Sequence, residues 1–155
     1  MSAAEHTGGK SYVLLQIGDR RFAMSAENVS ELAPPVRLHE FPHTTPLVAG
    51  VIVRRGRIVP VYDVSPVLTG KRSSAHRFYL IARRNFGALS EPSAIPVSGE
   101  CELATAEIQP PSSDGPEYIS GSLMIGDERI DVLDMEALVT SQPMDANDVA
   151  RRGIQ

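Results

Sequence analysis

Val51-Ile52-Val53-Arg54-Arg55-Gly56-Arg57-Ile58-Val59-Pro60-Val61-Tyr62-Asp63-Val64 is the stretch on which the fold turns. Apolar residues run from Val51 to Val53 and return from Ile58 to Tyr62, with one glycine in the four residues between. Two β-branched runs joined by a short glycine-bearing segment predict a β-hairpin. Pro60 cannot donate to a strand ladder, which places the returning strand at a sheet edge or a bulge. Asp63 or Ser65 is expected to cap a short helix, with Pro66 tolerated early in it and Gly70 ending it.

The same grammar extends in both directions. Tyr12 to Ile17, the pair Gly18-Asp19, and Arg21 to Met24 predict an opening hairpin. Ser25 then suits the cap of a helix carrying Val29, Leu32 and Ala33 on one side, ended by Pro34-Pro35. Residues 34–46 hold four prolines, Pro34, Pro35, Pro42 and Pro46, and read as loop or extended chain. Phe78 to Ala82 predicts a strand, Arg83-Arg84-Asn85 a turn, and Phe86 to Leu89 a weaker strand. Ile95 to Val97 and Glu102 to Ile108 fit strand or helix, while Gln109 to Pro116 is loop. Ile119 to Ile125, Gly126-Asp127 and Arg129 to Leu133 make a last hairpin, followed by a short helix from Met135 to about Thr140.

Two of these segments match at a constant offset of 71 residues. Val48-Ala49-Gly50 through Asp63-Val64 and Val67-Leu68 aligns with Ile119-Ser120-Gly121 through Asp134-Met135 and Leu138-Val139. Each reads apolar, small residue, glycine, strand, turn, strand, aspartate, short apolar helix. Gly50, Pro60, Asp63, Gly121 and Asp134 are therefore expected to be structural, the two aspartates as helix caps worth about 1 kcal/mol each. Repeated short hairpins closed by one-turn helices suit two small barrels packed together, because closure removes exposed strand edges.

Composition narrows the function. The chain has 155 residues, one domain's worth, with 42% apolar residues, too many for wholesale disorder. Its 15 Lys+Arg against 19 Asp+Glu give a net charge of −4, which argues against bulk nucleic-acid affinity. Charge is polarised along the chain. Between Arg54 and Arg84, eight cations face Asp63 alone, a net +7; from Asn85 to Asp148, 13 acidic residues face Arg129 alone, a net −12. Such polarity either orients partners or cancels across one fold. The seven apolar residues from Leu47 to Val53 fall far short of a membrane span, and no secretory pattern opens the chain, so a cytoplasmic location is expected.

Catalytic and metal-binding patterns are missing from the sequence. There is no G-x-S-x-G and no G-x-G-x-x-G, and Gly50 to Gly56 is one residue too long for a phosphate loop. His39 and His43 stand four apart, but Pro42 lies between them and no third ligand is near. Cys101, the single cysteine, has no paired histidine in any recognisable signature and reads as a partly buried, inert thiol. No enzyme activity, cofactor or metal is expected.

The quoted stretch resembles the signature of the CheW-like domain: a glycine and apolar residues, Asn-Leu-Arg-Gly, one variable residue, then Ile/Val-Val-Pro, two apolar residues and Asp-Leu. Val53-Arg54 stand here where that pattern has Asn-Leu, and Arg55-Gly56 keep its second half. Pro46 to Gly50 resembles the family's approach to this motif, and Tyr118 to Asp134 its closing segment. The resemblance implies a mainly β fold of two SH3-like five-stranded β-barrel subdomains with a few short helices. It divides the chain into a flexible N-terminus (1–10), one CheW-like domain of two intertwined subdomains (11–140) and a polar tail (141–155). It further implies a non-catalytic adaptor between the cytoplasmic tip of methyl-accepting chemoreceptors and a CheA-like histidine autokinase, in chemotaxis or in a related array such as one controlling twitching motility. On this reading Val51, Val53, Arg54, Arg55, Gly56 and Arg57 contact the partner, with no nucleic acid and no direct membrane insertion, and the Ile119 to Leu133 subdomain lies nearer the kinase. Arg55 either meets the partner's carboxylates or pairs internally with an acidic residue and locks the subdomains. The competing reading is a nucleic-acid-binding small barrel, prompted by Arg54, Arg55, Arg57, Arg83 and Arg84; the 5% aromatic content and absent tryptophan leave it few stacking platforms.

Overall fold

The computed structural model describes residues 9–40, 48–71, 78–86 and 89–140, without the side chains of 84–86, 89, 90 and 140. Expectations for residues 1–8 and 141–155, and for Pro42, His43, Pro46, Leu47, Arg72 and Arg77, lie outside that set. Eleven strands are described: β1 Lys10–Ile17, β2 Arg20–Ser25, β3 Val29–Ala33, β4 His39–Glu40, β5 Val48–Arg54, β6 Arg57–Tyr62, β7 Phe78–Phe86, β8 Leu89–Val97, β9 Glu102–Ala106, β10 Ile119–Ile125 and β11 Glu128–Leu133. Helices α1 (Ser65–Thr69) and α2 (Met135–Thr140) follow β6 and β11.

These strands form two sheets, ordered β3-β7-β8-β6-β5-β4 and β9-β1-β2-β11-β10. The offset of 71 residues holds in the fold: β5 and β10, then β6 and β11, begin and end at equivalent positions. Val61 of β6 pairs parallel with Ala94 of β8, and its equivalent Val132 of β11 pairs parallel with Ala23 of β2. The second sheet is therefore a circularly permuted copy of the first, whose inner hairpin comes from the N-terminal β1–β2. Even the two-residue β4 has a counterpart, the isolated bridge from Gln109 to Ser122 beside β10. The first half thus carries six strands rather than five.

Side-chain alternation divides the core into three. Ala33, Ile52, Val59, Val61, Tyr79, Ile81 and Ala94 pack within the first sheet, and Tyr12, Leu14, Ala23, Leu123, Ile130 and Val132 within the second. A larger cluster between the sheets takes the opposite faces of β1, β2, β7 and β8, including Leu15, Phe22, Leu80 and Ile95, together with Leu68 of α1 and Leu138 of α2. The hairpins β1–β2 and β7–β8 are apolar on both faces for this reason: each closes its own subdomain and also forms half of the shared core. Burial of strands on both faces removes the alternating polar positions a solvated sheet would show.

Three expectations are corrected. Ser25 makes no side-chain cap, and the helix expected after it, over Ala26 to Leu32, is one 3-10 turn, Ala26–Asn28, followed by strand β3. A bulge between Val29 and Glu31 shifts the register against β7, so that Val29 and Leu32, three apart, lie against Ala82 and Leu80 of one core face. An inserted residue in a strand imitates helical spacing. Second, Arg83-Arg84-Asn85 is not a turn but the continuation of β7, whose pairing runs on to Phe86 opposite Leu89.

Third, Pro60 lies in an interior strand, with β5 on one side and β8 on the other, and the bulge in this hairpin is on β5, between Val48 and Gly50. Arg54 and Arg57 close the two-residue turn, and hydrogen-bonded pairs alternate from there, leaving Val51–Pro60 a non-hydrogen-bonded pair. Towards β8 the ladder is the single Val61–Ala94 bridge. The missing N–H of Pro60 is not needed on either side. The open segments of the sequence resolve as strand, Ile95 to Val97 in β8 and Glu102 to Ala106 as β9.

Candidate docking hairpin

The β5–β6 hairpin is held at its base and exposed at its tip. At the base, Gly50 follows the β5 bulge with φ of +155°, and a Cβ there would stand 3.0 Å from Glu40 Cα and closer still to the carbonyl oxygen of His39. Gly121 repeats the arrangement after the bulge of β10, where a Cβ would lie 2.6 Å from Ile108 Cδ1 and closer still to the Gln109 carbonyl. Both glycines let a neighbouring backbone lie directly against the hairpin. Beyond β6, the buried carboxylate of Asp63 accepts from the Ser65 N–H at 3.1 Å and from the Ser65 hydroxyl. The N-cap of α1 is Val64, with no side-chain cap, rather than the expected Asp63 or Ser65; Asp63 holds the turn from one residue outside the helix. Asp134 acts on α2 directly, accepting from the Ala137 N–H at 3.3 Å. Gly70 ends α1 with φ of +77°.

The turn itself is Arg55-Gly56, with φ of +53° and +74°. Positive φ at both central residues is the type I′ geometry that matches strand twist, and arginine at the first position costs on the order of 1 kcal/mol. An acidic side chain steadies it. Glu31 on β3 accepts from Arg54 Nε at 2.5 Å and from Arg55 Nε at 2.9 Å. The two guanidinium groups hold the Glu31 carboxyl below its ordinary value, Arg54 contributing most. Arg54 and Glu31 are about three-quarters covered, whereas the Arg55 side chain is 72% exposed. Arg55 is thus paired internally, but with a strand of its own sheet, so the pair does not lock the two subdomains together, and its side chain remains accessible. Among the described residues no carboxylate lies within ion-pair distance of Arg57.

Glu31 was not among the sequence-derived candidates. It lies in the segment read as helix, and no local spacing connects residue 31 with residues 54 and 55. Because a folded carboxylate with a lowered pKa stabilises above its unfolded value and loses that effect below it, the sign is fixed. The unfolding midpoint of Glu31→Gln should fall below wild type at neutral pH, by the few tenths to about 1 kcal/mol of a partly exposed ion pair. The gap should close as pH drops from 4.5, the ordinary carboxyl value, through the lowered one. Urea titrations of both proteins at several pH values check this; a gap that widens in acid would refute the pairing.

On the two faces of the hairpin the alternation is clean. Ile52, Val59 and Val61 point into the first-sheet core, and Val51, Val53, Ile58 and Pro60 point away from it. Val53 is 52% and Ile58 70% exposed, and they face each other across the strands. Ile58 is the second residue missed in the sequence reading, although its alternation with Val59 marks it as outward. The equivalent outward positions of the β10–β11 hairpin are Ser122, Met124, Arg129 and Asp131. Of these Met124 is 54% exposed and Ser122 is buried, while the charged groups of that end are internally paired: Arg21 contacts Glu128 at 2.6 Å and Glu102 at 3.3 Å, and Arg20 approaches Asp131 at 3.9 Å.

Elsewhere, burial pushes the Cys101 thiol up to about 11, which suppresses its thiolate. Among the described residues no group of three His, Cys, Asp or Glu side chains could hold a metal ion, and no helix is long and apolar enough to cross a membrane.

Comparison with known proteins agrees with this architecture. One of the similar solved structures is the crystal structure of the scaffolding protein TtCheW from Thermoanaerobacter tengcongensis, with a TM-score of 0.73 at 21% identity, covering 86% of this chain and 94% of that one. The fold is that expected from the sequence, mainly β with two SH3-like subdomains. A search of curated proteins found no match. The model of the CheW-like domain matches residues 11–142, and the chain belongs to that family.

Proposed function

We propose that this protein is a cytoplasmic, non-catalytic adaptor that joins the helical tip of methyl-accepting chemoreceptors to a CheA-like histidine autokinase. The observation that carries the reading is the divergence of the two equivalent hairpins. Their inward residues are alike, Ile52, Val59 and Val61 against Leu123, Ile130 and Val132, because both must fill a small barrel. Their outer faces differ: the first carries Val51, Val53, Ile58 and Pro60 where the second carries Ser122, Met124, Arg129 and Asp131, so only the first is apolar at all four positions. An apolar centre rimmed by arginines is the composition of a protein-docking surface. The β5–β6 hairpin is assigned to the receptor, and the charged Ile119 to Leu133 subdomain to the kinase.

Nucleic-acid binding is the weaker reading. Two of the three arginines at the tip share Glu31, which reduces the charge available to phosphates.

Val53→Asp tests the assignment. The side chain is half exposed, so the unfolding midpoint should stay within about 1 kcal/mol of wild type. Capture of a receptor-tip fragment should weaken about tenfold or more, since a charge replaces part of the apolar centre. Undiminished capture by the folded variant would exclude this face.

A further inference from the structure

Arg54 and Arg57 are direct cross-strand partners closing the turn, with Arg55 between them. Three guanidinium groups are therefore crowded onto four residues, and one carboxylate, Glu31, serves two of them. Like charges directly opposite one another destabilise a hairpin. Removing that repulsion by folding alone would need a second acid near the tip, and none of the described residues supplies one. Arg57 is exposed, and its chain neighbour Ile58 is the most exposed apolar residue of the hairpin.

We infer that Arg57 is a specificity-determining residue, an unfilled carboxylate site at the hairpin tip that selects a partner bearing an acidic side chain beside an apolar stripe. The inference rests on the adaptor reading and names the chemistry of the receptor surface it would accept. A partner carboxylate completes at Arg57 what Glu31 does for Arg54 and Arg55, while its apolar stripe covers Val53 and Ile58. Arg54 and Arg55 hold the turn's shape; Arg57 reads the partner. Guanidinium suits this role because it stays charged and offers a planar pair of donors to a carboxylate.

The test uses the full chain and a soluble coiled-coil fragment carrying a methyl-accepting chemoreceptor's cytoplasmic tip, with Kd measured by calorimetry at low and high salt. Wild type should bind more weakly as salt rises. Arg57→Gln should bind about three- to tenfold more weakly at low salt, with a flatter salt dependence, and Arg57→Glu more weakly still. A fragment whose tip acid is changed to lysine should recover binding to Arg57→Glu. Relief of the Arg54–Arg57 repulsion should meanwhile leave the urea midpoint of Arg57→Gln equal to or above that of wild type. A purely structural role for Arg57 would lower the midpoint and the affinity together, and overturns the proposal. Equal affinity and salt slope for wild type and Arg57→Gln overturns it while the adaptor reading stands. Absence of any binding by wild type overturns both.

Discussion

Val61→Asp should yield no folded protein, whereas Val53→Asp, eight residues away on the same hairpin, should stay folded and within about 1 kcal/mol of wild type in stability. Val61 is fully buried among Ile52, Val59, Tyr79, Ile81 and Ala94, and it makes the one bridge that joins β6 to β8. None of these side chains can neutralise a carboxylate. An unpaired buried charge costs several kcal/mol even after relaxation, and loss of the valine's own burial adds about 2 kcal/mol. Domains of this size are stable by only about 5–15 kcal/mol in total. The first subdomain also supplies half of the shared core through Leu80, Ala82, Ile95 and Val97, so damage to it should spread to the second. Circular dichroism should show loss of the cooperative thermal transition, with exposed apolar surface detected by dye binding. A soluble variant with a sharp transition would mean that the inward face of β6 has been assigned backwards.

How far the fold could be read from sequence depended on whether a feature was local. The hairpins at Val51–Tyr62 and Ile119–Leu133 carry their strands and turn in one continuous stretch, and alternation tells inward from outward within each. The 71-residue offset was legible for the same reason, because equivalent positions in two small barrels face equivalent requirements. What the sequence concealed was non-local. The β3 bulge placed Val29 and Leu32 on one face at helical spacing, with Ala33 turned to the other core, and only pairing with β7 distinguishes a bulged strand from a helix. The proline at 60 marked an edge by propensity, but its N–H falls in a non-hydrogen-bonded pair whose register is fixed by the Arg55-Gly56 turn. Membership of β1–β2 in the second sheet depends on contacts with β9 and β11, about a hundred residues away.

The candidate docking hairpin shows the same division. Val51, Val53 and the arginines were identified from the motif, and the structure places Val51 and Val53 on one outward face and the arginines around the tip. Their separate roles were not legible, because Glu31 reaches Arg54 and Arg55 from a different strand. An ion pair between residues 23 and 24 positions apart leaves no periodicity to detect.

The glycines at the hairpin bases should rank by what surrounds them, and Gly50→Ala should be the most damaging. Its Cβ would meet the backbone of His39 and Glu40, which is itself paired into the sheet and cannot swing aside like a side-chain end. It would also have to hold φ at +155°, a region that L residues rarely occupy. Overpacking costs about 1–3 kcal/mol and the backbone conformation about as much again, so a loss of about 3 kcal/mol or more is expected. For a chain of this length that lowers the melting temperature by roughly 6 °C or more. Gly121→Ala should follow, because part of its obstruction is the Ile108 side chain, which can turn away, although the Gln109 carbonyl remains. Gly56→Ala meets nothing within 4 Å and bears only its left-handed φ of +74°, about 1 kcal/mol. Melting temperatures of the three variants would establish the order. Because β4 lies against the base of the candidate docking hairpin, the proposed adaptor role predicts that Gly50→Ala weakens receptor capture even below its melting point, and Gly56→Ala less so. A Gly50→Ala protein melting within about 2 °C of wild type would show that β4 does not hold the hairpin.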